Sequence, residues 1–242
     1  MNNYTKPNRD LKKIYELFGS FSDFGSQHTV VIFDEVLGPL GCGVLLKING
    51  EHLLATNWHI ISKIPVEERI KRLSIQRKQG GITWHGIAEI WDDGNEVDLA
   101  CARLKALPSD FGKKFVPETN FDQNCECLDS DSTILLYSFP SEEKQCDWNN
   151  RLVEANTLPY YTYALRYENG YVEFDLHTTG LTKEGIEIQI PEFYGSSGSW
   201  MWTVDGYDFR LSGIVTYGEK GKSGTASALK HWVELYERGP KR

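Results

Sequence analysis

The sequence is poor in sulfur. Five cysteines and two methionines occur among 242 residues. The cysteines (Cys42, Cys101, Cys125, Cys127 and Cys146) are odd in number and irregular in spacing, which excludes a secreted disulfide framework and implies reduced thiols. No apolar run approaches the roughly 18 residues that span a bilayer. The opening MNNYTKPNRDLKKIYELFGSF also lacks the uninterrupted apolar stretch of a signal peptide. The expected location is therefore cytoplasmic, with no membrane partner. Basic residues are outnumbered: 26 Lys and Arg against 34 Asp and Glu leave a net charge of −8. That balance opposes binding to nucleic acid through phosphate neutralisation. Metal-ligand spacing is missing too. Cys125-Glu126-Cys127 with Cys146 lacks the paired spacing of a zinc site, and the acidic run around residues 119–131 lacks the ligand pattern and turn glycine of an EF-hand loop. No metal and no cofactor is expected.

What is present is a globular composition, 40% hydrophobic and 12% aromatic, long enough to bury a core without staples. Leu11, Ile14, Tyr15 and Phe18 recur at helical spacing, with Asn8 or Asp10 available as a cap and Gly19 as a stop. From about residue 28 the texture becomes one of strands and turns. HTVVIFDE, GVLLKI, HLLATN, LSIQRK, ITWHGIAEIW and VDLACARL read as successive strands. Asn49-Gly50 between two apolar runs predicts a tight hairpin, because both residues tolerate positive φ. Asp92-Asp93-Gly94-Asn95 predicts a second turn, which places Asp98 at a strand entrance. Residues 106–131 mix Pro, Gly, Asn and Asp, as an exposed connection between two folding units would. Strands resume at TILLYSFP, LVEANTL, YYTYALRYE, YVEFDLH, SWMWTV and LSGIVTYG, with a turn at Glu168-Asn169-Gly170. SALKHWVELYE then aligns Leu229, Trp232, Val233 and Tyr236 on one helical face.

Three local contexts stand out in order: Ala55-Thr56-Asn57-Trp58-His59, Val97-Asp98-Leu99-Ala100 and Gly195-Ser196-Ser197-Gly198-Ser199. Singly, each has an ordinary structural explanation: a packed imidazole, a turn carboxylate, a small-residue loop. Their order resembles the trypsin-like serine peptidases of the chymotrypsin fold, in which His, Asp and Ser follow one another across two antiparallel barrels. The resemblance spans about residues 28–237. Gly41-Cys42-Gly43-Val44-Leu45 and Leu54-Ala55-Thr56-Asn57-Trp58-His59 are similar to the family's Gly-x-Gly strand and Thr-Ala-x-His segment, with Asn57 and Trp58 as departures. Leu211-Ser212-Gly213-Ile214-Val215-Thr216-Tyr217-Gly218 resembles its Gly-Ile-Val-Ser-x-Gly strand, and Tyr137-Ser138-Phe139-Pro140 its Gly-Tyr-Pro segment.

The resemblance implies an all-β fold of two six-stranded antiparallel barrels with short terminal helices. Residues 1–27 would form a helical extension, 28–118 the barrel carrying His and Asp, 119–131 a linker, 132–226 the barrel carrying Ser, and 227–242 a terminal helix. It implies a serine endopeptidase acting on protein or peptide substrates. In that scheme Ser197 is the nucleophile, His59 its general base and Asp98 the carboxylate that fixes the imidazole tautomer. The amides of Gly195 and Ser197 would form an oxyanion hole, worth about 3–4 kcal/mol per donor. Thr216, Tyr217 and Gly218 would pair with an extended substrate. Pro191 falls at the floor of the primary pocket where trypsin has an Asp, so basic specificity is not implied, and Glu192 lies beside it. Lys220 and Lys222 could instead favour an acidic side chain, which leaves the specificity open. Cys42 matches a half-cystine of secreted relatives, but its partner position holds Ile60; Ser196 replaces the Asp that pairs with a cleaved N-terminus in those enzymes. Activation by N-terminal cleavage is thus not expected, and restraint would come from substrate choice or a regulatory protein partner.

Two other readings compete. An α/β-hydrolase requires Gly-x-Ser-x-Gly and the order Ser, acid, His; here Ser199 replaces the last glycine and only His231 follows. A catalytically silent, peptidase-like binding module would keep the fold without the chemistry.

Overall fold

The computed structural model describes residues 11–240 apart from 78–82, 95, 123–127, 129–131, 140–143, 148–151, 156–157, 177–178, 182–186, 190–196, 206–207 and 219–222. Helix α1 (Leu11–His28) leads into β1 (Thr29–Asp34), β2 (Gly38–Ile48) and β3 (Glu51–Thr56). After the short helices α2 (Trp58–Ile61) and α3 (Val66–Arg72) come β4 (Leu73–Gln76), β5 (Thr83–Trp84), β6 (Ile87–Asp92), β7 (Ala100–Leu104) and β8 (Val116–Pro117). The second half comprises β9 (Thr133–Ser138), β10 (Lys144–Asp147), β11 (Leu152–Ala155), β12 (Leu158–Glu168), β13 (Tyr171–Asp175), β14 (Thr179–Leu181) and β15 (Glu187–Gln189). It closes with β16 (Trp200–Asp205), β17 (Asp208–Gly218), β18 (Ser223–Ala228) and helix α4 (Leu229–Arg238).

The architecture is all-β and consistent with a chymotrypsin-like fold. The first half is a curled half-barrel with strand order β5-β4-β1-β2-β3-β7-β6, to which β8 adds beside β2. The second is a closed antiparallel barrel, β12-β13-β18-β17-β16-β9. Both predicted asparagine-glycine turns form, with φ of 50° at Asn49 and 52° at Asn169, each followed by a glycine also at positive φ.

Side-chain alternation divides the apolar residues into three clusters, because successive residues of a strand face opposite sides. In β9, Ile134 and Leu136 line the closed barrel with Val172, Phe174 and Met201. Leu135 and Tyr137 point the other way, into a core shared with the first sheet. In β1 the same switch sends Val30 and Ile32 to the first sheet's own interior, and Val31 and Phe33 to the shared core. Trp200, Trp202 and Trp232 are fully buried in that shared core.

Each terminal helix also packs on the half that is distant from it in sequence. Phe21 of α1 packs edge-on against Tyr137 and Phe209, and Phe24 against Trp202, all of the second half. Helix α4 reaches back to the first sheet: Trp232 Nε1 donates to Ala100 O at 3.3 Å, Trp91 Nε1 donates to Leu235 O at 3.1 Å, and Arg238 pairs with Asp93. Among the described residues no helix is long and apolar enough to cross a membrane.

The structure departs from the sequence reading at several points, among them β18, where no strand is predicted and which takes in Ser227 and Ala228, expected at the start of the last helix. Helix α1 does not stop at Gly19 but continues to His28. Gly19 is exposed and costs about 1 kcal/mol in a helix interior, less than burying Phe21 returns. ITWHGIAEIW divides into β5 and β6. Helices α2 and α3 follow β3, where no helix is predicted. The segment expected as exposed linker is partly core: Val116 is buried and pairs in parallel with Leu46 of β2. Lys113 is also buried there, its Nζ donating to Ser26 O at 2.6 Å and Thr29 O at 2.9 Å, while Lys114 N donates to Gln27 O. These bonds satisfy carbonyls that a helix C-terminus leaves unpaired.

Burial lowers the Lys113 ammonium from 10.5 to about 8. Between those values the unfolded chain binds the proton and the folded protein does not, so this group's contribution to stability rises with pH over that window. The stability difference between wild type and Lys113→Met, measured by urea unfolding, is therefore expected to shift toward wild type by about 1–3 kcal/mol from pH 7.5 to 10.5. Trp232→Ala is expected to cost about 3–5 kcal/mol, with both halves still unfolding in one transition by circular dichroism and tryptophan fluorescence.

Candidate active site

His59 lies on α2, directly after β3, and Asp98 lies two residues before β7, the antiparallel neighbour of β3. Pairing of Thr56 with Ala100 brings the two side chains together at one end of the first sheet. His59 Nδ1 sits 2.7 Å from Asp98 Oδ2, and the His59 backbone N–H donates to Asp98 Oδ1 at 2.8 Å. One carboxylate thus holds both the ring and the backbone of the same residue. Its oxygens accept, so Nδ1 carries the proton and Nε2 is the basic edge of the neutral ring.

Asn57 and Trp58 also serve this contact. Asn57 is fully buried, and its Nδ2 donates to Asp98 O at 3.0 Å; Trp58 N donates to the same carbonyl at 3.2 Å. Asp98 needs this support because its backbone is left-handed, with φ of 58°. Asp is among the few side chains that tolerate that region.

Ser197 approaches from the second half. Its carbonyl accepts the Cys42 N–H at 2.9 Å, which ties the serine loop to β2 of the first sheet. Gly198 then turns the chain at φ of 81°, its N–H donating to Val215 O at 3.1 Å, and Val215 N donates to Ser199 O at 2.7 Å. A methyl group on Gly198 would lie 2.0 Å from Cys42 O and 2.7 Å from Thr56 Oγ1, so only glycine allows this approach. Gly41 serves the same junction: a Cβ there would meet the Ile60 side chain at 2.5 Å and Ser197 O at 3.1 Å. The backbone of Ser197 therefore sits against the strand whose other neighbours are Thr56 and the residue next to His59. Ser197 and His59 are both partly exposed.

The β16 partner of β17 ends at the Trp200–Ile214 pair, whereas β18 continues alongside through Gly218–Gly224. Thr216, Tyr217 and Gly218 thus run on past the serine loop, supported from one side by β18. Thr216 Oγ1 donates to Thr225 O at 3.1 Å. Cys42 and Cys101 are buried and not disulfide-bonded.

Gly195, Ser196, Pro191, Glu192, Lys220 and Lys222 lie outside the described residues, as do Cys125 and Cys127; of Cys146 only the backbone, in β10, is described. Sequence reasoning missed Tyr171 and Ser227, which bond the carbonyls just before Asp98. The turn at Asn169-Gly170 fixes where β13 begins, but no local motif marks what its first residue touches. Comparison with protein-family models finds no match, and comparison with curated proteins finds none either.

Gly198→Ala is expected to destabilise the protein by about 1–3 kcal/mol, as a side chain forced into a left-handed, crowded position does. Hydrogen exchange is the specific check: the Cys42 amide should lose its protection while amides in β12 and β13 keep theirs.

Proposed function

We propose that this chain is a serine endopeptidase with Ser197 as nucleophile, His59 as general base and Asp98 as its orienting carboxylate. The observation that carries the proposal is the double hold of Asp98 on His59, through Nδ1 and the backbone N–H, at the edge of the first sheet against which the Ser197 loop is docked. A structural His–Asp pair needs no glycine-turned serine loop brought to the same edge from the other half of the chain.

In the proposed reaction His59 Nε2 takes the Ser197 Oγ proton as Oγ bonds to the substrate carbonyl carbon. The resulting imidazolium is stabilised by Asp98, and the tetrahedral oxyanion by the amides of Gly195 and Ser197. Collapse breaks the C–N bond, His59 passes its proton to the leaving amine, and an acyl-enzyme remains. Water, deprotonated by His59, then attacks the ester carbon; the acyl C–Oγ bond breaks, His59 returns its proton to Ser197 Oγ, and the acid is released. Thr216 and Gly218 would offer backbone groups to an extended peptide, in the manner of strand addition, which gives affinity with little sequence demand. Pro191 and Glu192 would line the primary pocket. A reducing, cytoplasmic setting and a regulatory protein partner belong to the same proposal.

Labelling with a fluorophosphonate probe tests the reading. An adduct on Ser197 is expected by intact mass, absent in Ser197→Ala and formed about 10⁴-fold more slowly in Asp98→Asn. Folded wild type that takes no adduct would sink the peptidase reading and leave a silent binding module. Cleavage of a peptide library by wild type, with Ser197→Ala as the blank, would then define the preferred side chains.

A further inference from the structure

We infer that Tyr171 and Ser227, both from the closed barrel, are positioning residues for the acid of the proposed triad: their hydroxyls hold the carbonyls just before Asp98 and so keep its carboxylate under His59. The inference rests on the peptidase reading for its catalytic meaning, but its structural content stands on separate contacts.

Four consecutive carbonyls around Asp98 each accept a hydrogen bond from a different part of the fold. Tyr171 Oη donates to Glu96 O at 3.4 Å, and Ser227 Oγ donates to Val97 O at 3.2 Å. Trp58 N and Asn57 Nδ2 donate to Asp98 O, and Asp93 N donates to Leu99 O at 3.1 Å. The last three donors belong to the first sheet and its loops. The first two come from β13 and β18, where Tyr171 and Ser227 are directly opposed in antiparallel register. Opposed residues project to the same face, so the two hydroxyls reach adjacent carbonyls as a pair.

A left-handed Asp needs such a hold. Relaxing its φ from 58° to the ordinary negative range would rotate the Cα–Cβ bond and carry the carboxylate away from Nδ1. Each hydroxyl bond is long and weak alone. Together they fix two peptide planes in succession, leaving Asp98 no slack. Burial raises the Tyr171 phenol, and the Asp98 charge adds to the effect, so Tyr171 stays protonated and able to donate at neutral pH. The ring of His231 in α4 lies beside it, 6.1 Å between centroids. The consequence is that the closed barrel sets the position of a group carried by the other half.

The test follows the low-field Nδ1 proton of His59 by NMR, assigned by its loss in His59→Ala, alongside the rate of Ser197 labelling. In Tyr171→Phe/Ser227→Ala the resonance should vanish into exchange with water and labelling should slow about tenfold or more, with a melting temperature within about 4 °C of wild type. Ser227→Thr, which keeps the hydroxyl, should restore the resonance when combined with native Tyr171. A folded double variant with the wild-type resonance and labelling rate overturns the inference, as does a wild type lacking the resonance. Should the double variant not fold, the two single variants decide: both are expected to weaken the resonance, and full intensity in both overturns the proposal. A wild type with the resonance but no labelling removes the peptidase reading, and the resonance comparison still decides the clamp.

Discussion

Most of this structure depends on apolar surface that neither half can bury alone. Leu135 and Tyr137 of β9, Val31 and Phe33 of β1, and the fully buried Trp200, Trp202 and Trp232 face a core that exists only when the half-barrel and the closed barrel are apposed. Burial of side chains this large stabilises by several kcal/mol each before entropy is counted, so separating the halves would expose a large apolar face on each. The terminal helices reinforce the constraint, because each packs on both halves, including the one from which it is distant in sequence. Apposition fixed in this way is the condition for placing single hydrogen bonds accurately at the junction.

At that junction the anchoring is reciprocal. The serine belongs to the second half and is tied down by the Cys42 amide of the first; the acid belongs to the first half and is braced by hydroxyls of the second. His59 lies between, gripped twice by one carboxylate. A site assembled from two sheets would ordinarily inherit every relative motion of those sheets. Cross-anchoring turns that weakness into a shared reference, since any shear between the halves must break bonds at both ends of the proposed triad. Gly41 and Gly198 make it possible by letting backbone meet backbone where a side chain would hold the halves apart.

Local signals in the sequence were reliable where a few adjacent residues decide the outcome. Asn49-Gly50 and Asn169-Gly170 turn as their chemistry demands, and Asp98 stands at the strand entrance its neighbours predict. The ordered His, Asp and Ser contexts led to the all-β architecture of a closed barrel and a half-barrel. Expectations failed where distant packing overrides local preference. Gly19 does not end α1, because Phe21 and Phe24 beyond it find aromatic partners far along the chain. Residues around 113–116 read as linker because they are polar and broken by proline and glycine, yet Lys113 caps a helix and Val116 joins a strand. Asn57 looks like a departure from a motif until the left-handed Asp98, whose carbonyl its side chain holds, supplies the reason for it. Tyr171 and Ser227 were invisible for a plainer cause: their role arises from the register of two strands and the face they present, which no short stretch of sequence encodes.

The bridging of both halves by the terminal helices also has a consequence for biosynthesis. On the ribosome the first sheet emerges long before α4, whose Trp232 and Leu235 cover part of it, so that sheet waits with its shared face bare while the second half is made. Native packing is therefore completed after synthesis of the helix that closes it, and the interval offers unpaired strand edges and apolar surface to any neighbour. Chaperone demand and yield at high expression should thus be governed less by the stability of the finished protein than by how long the nascent half-barrel remains uncovered.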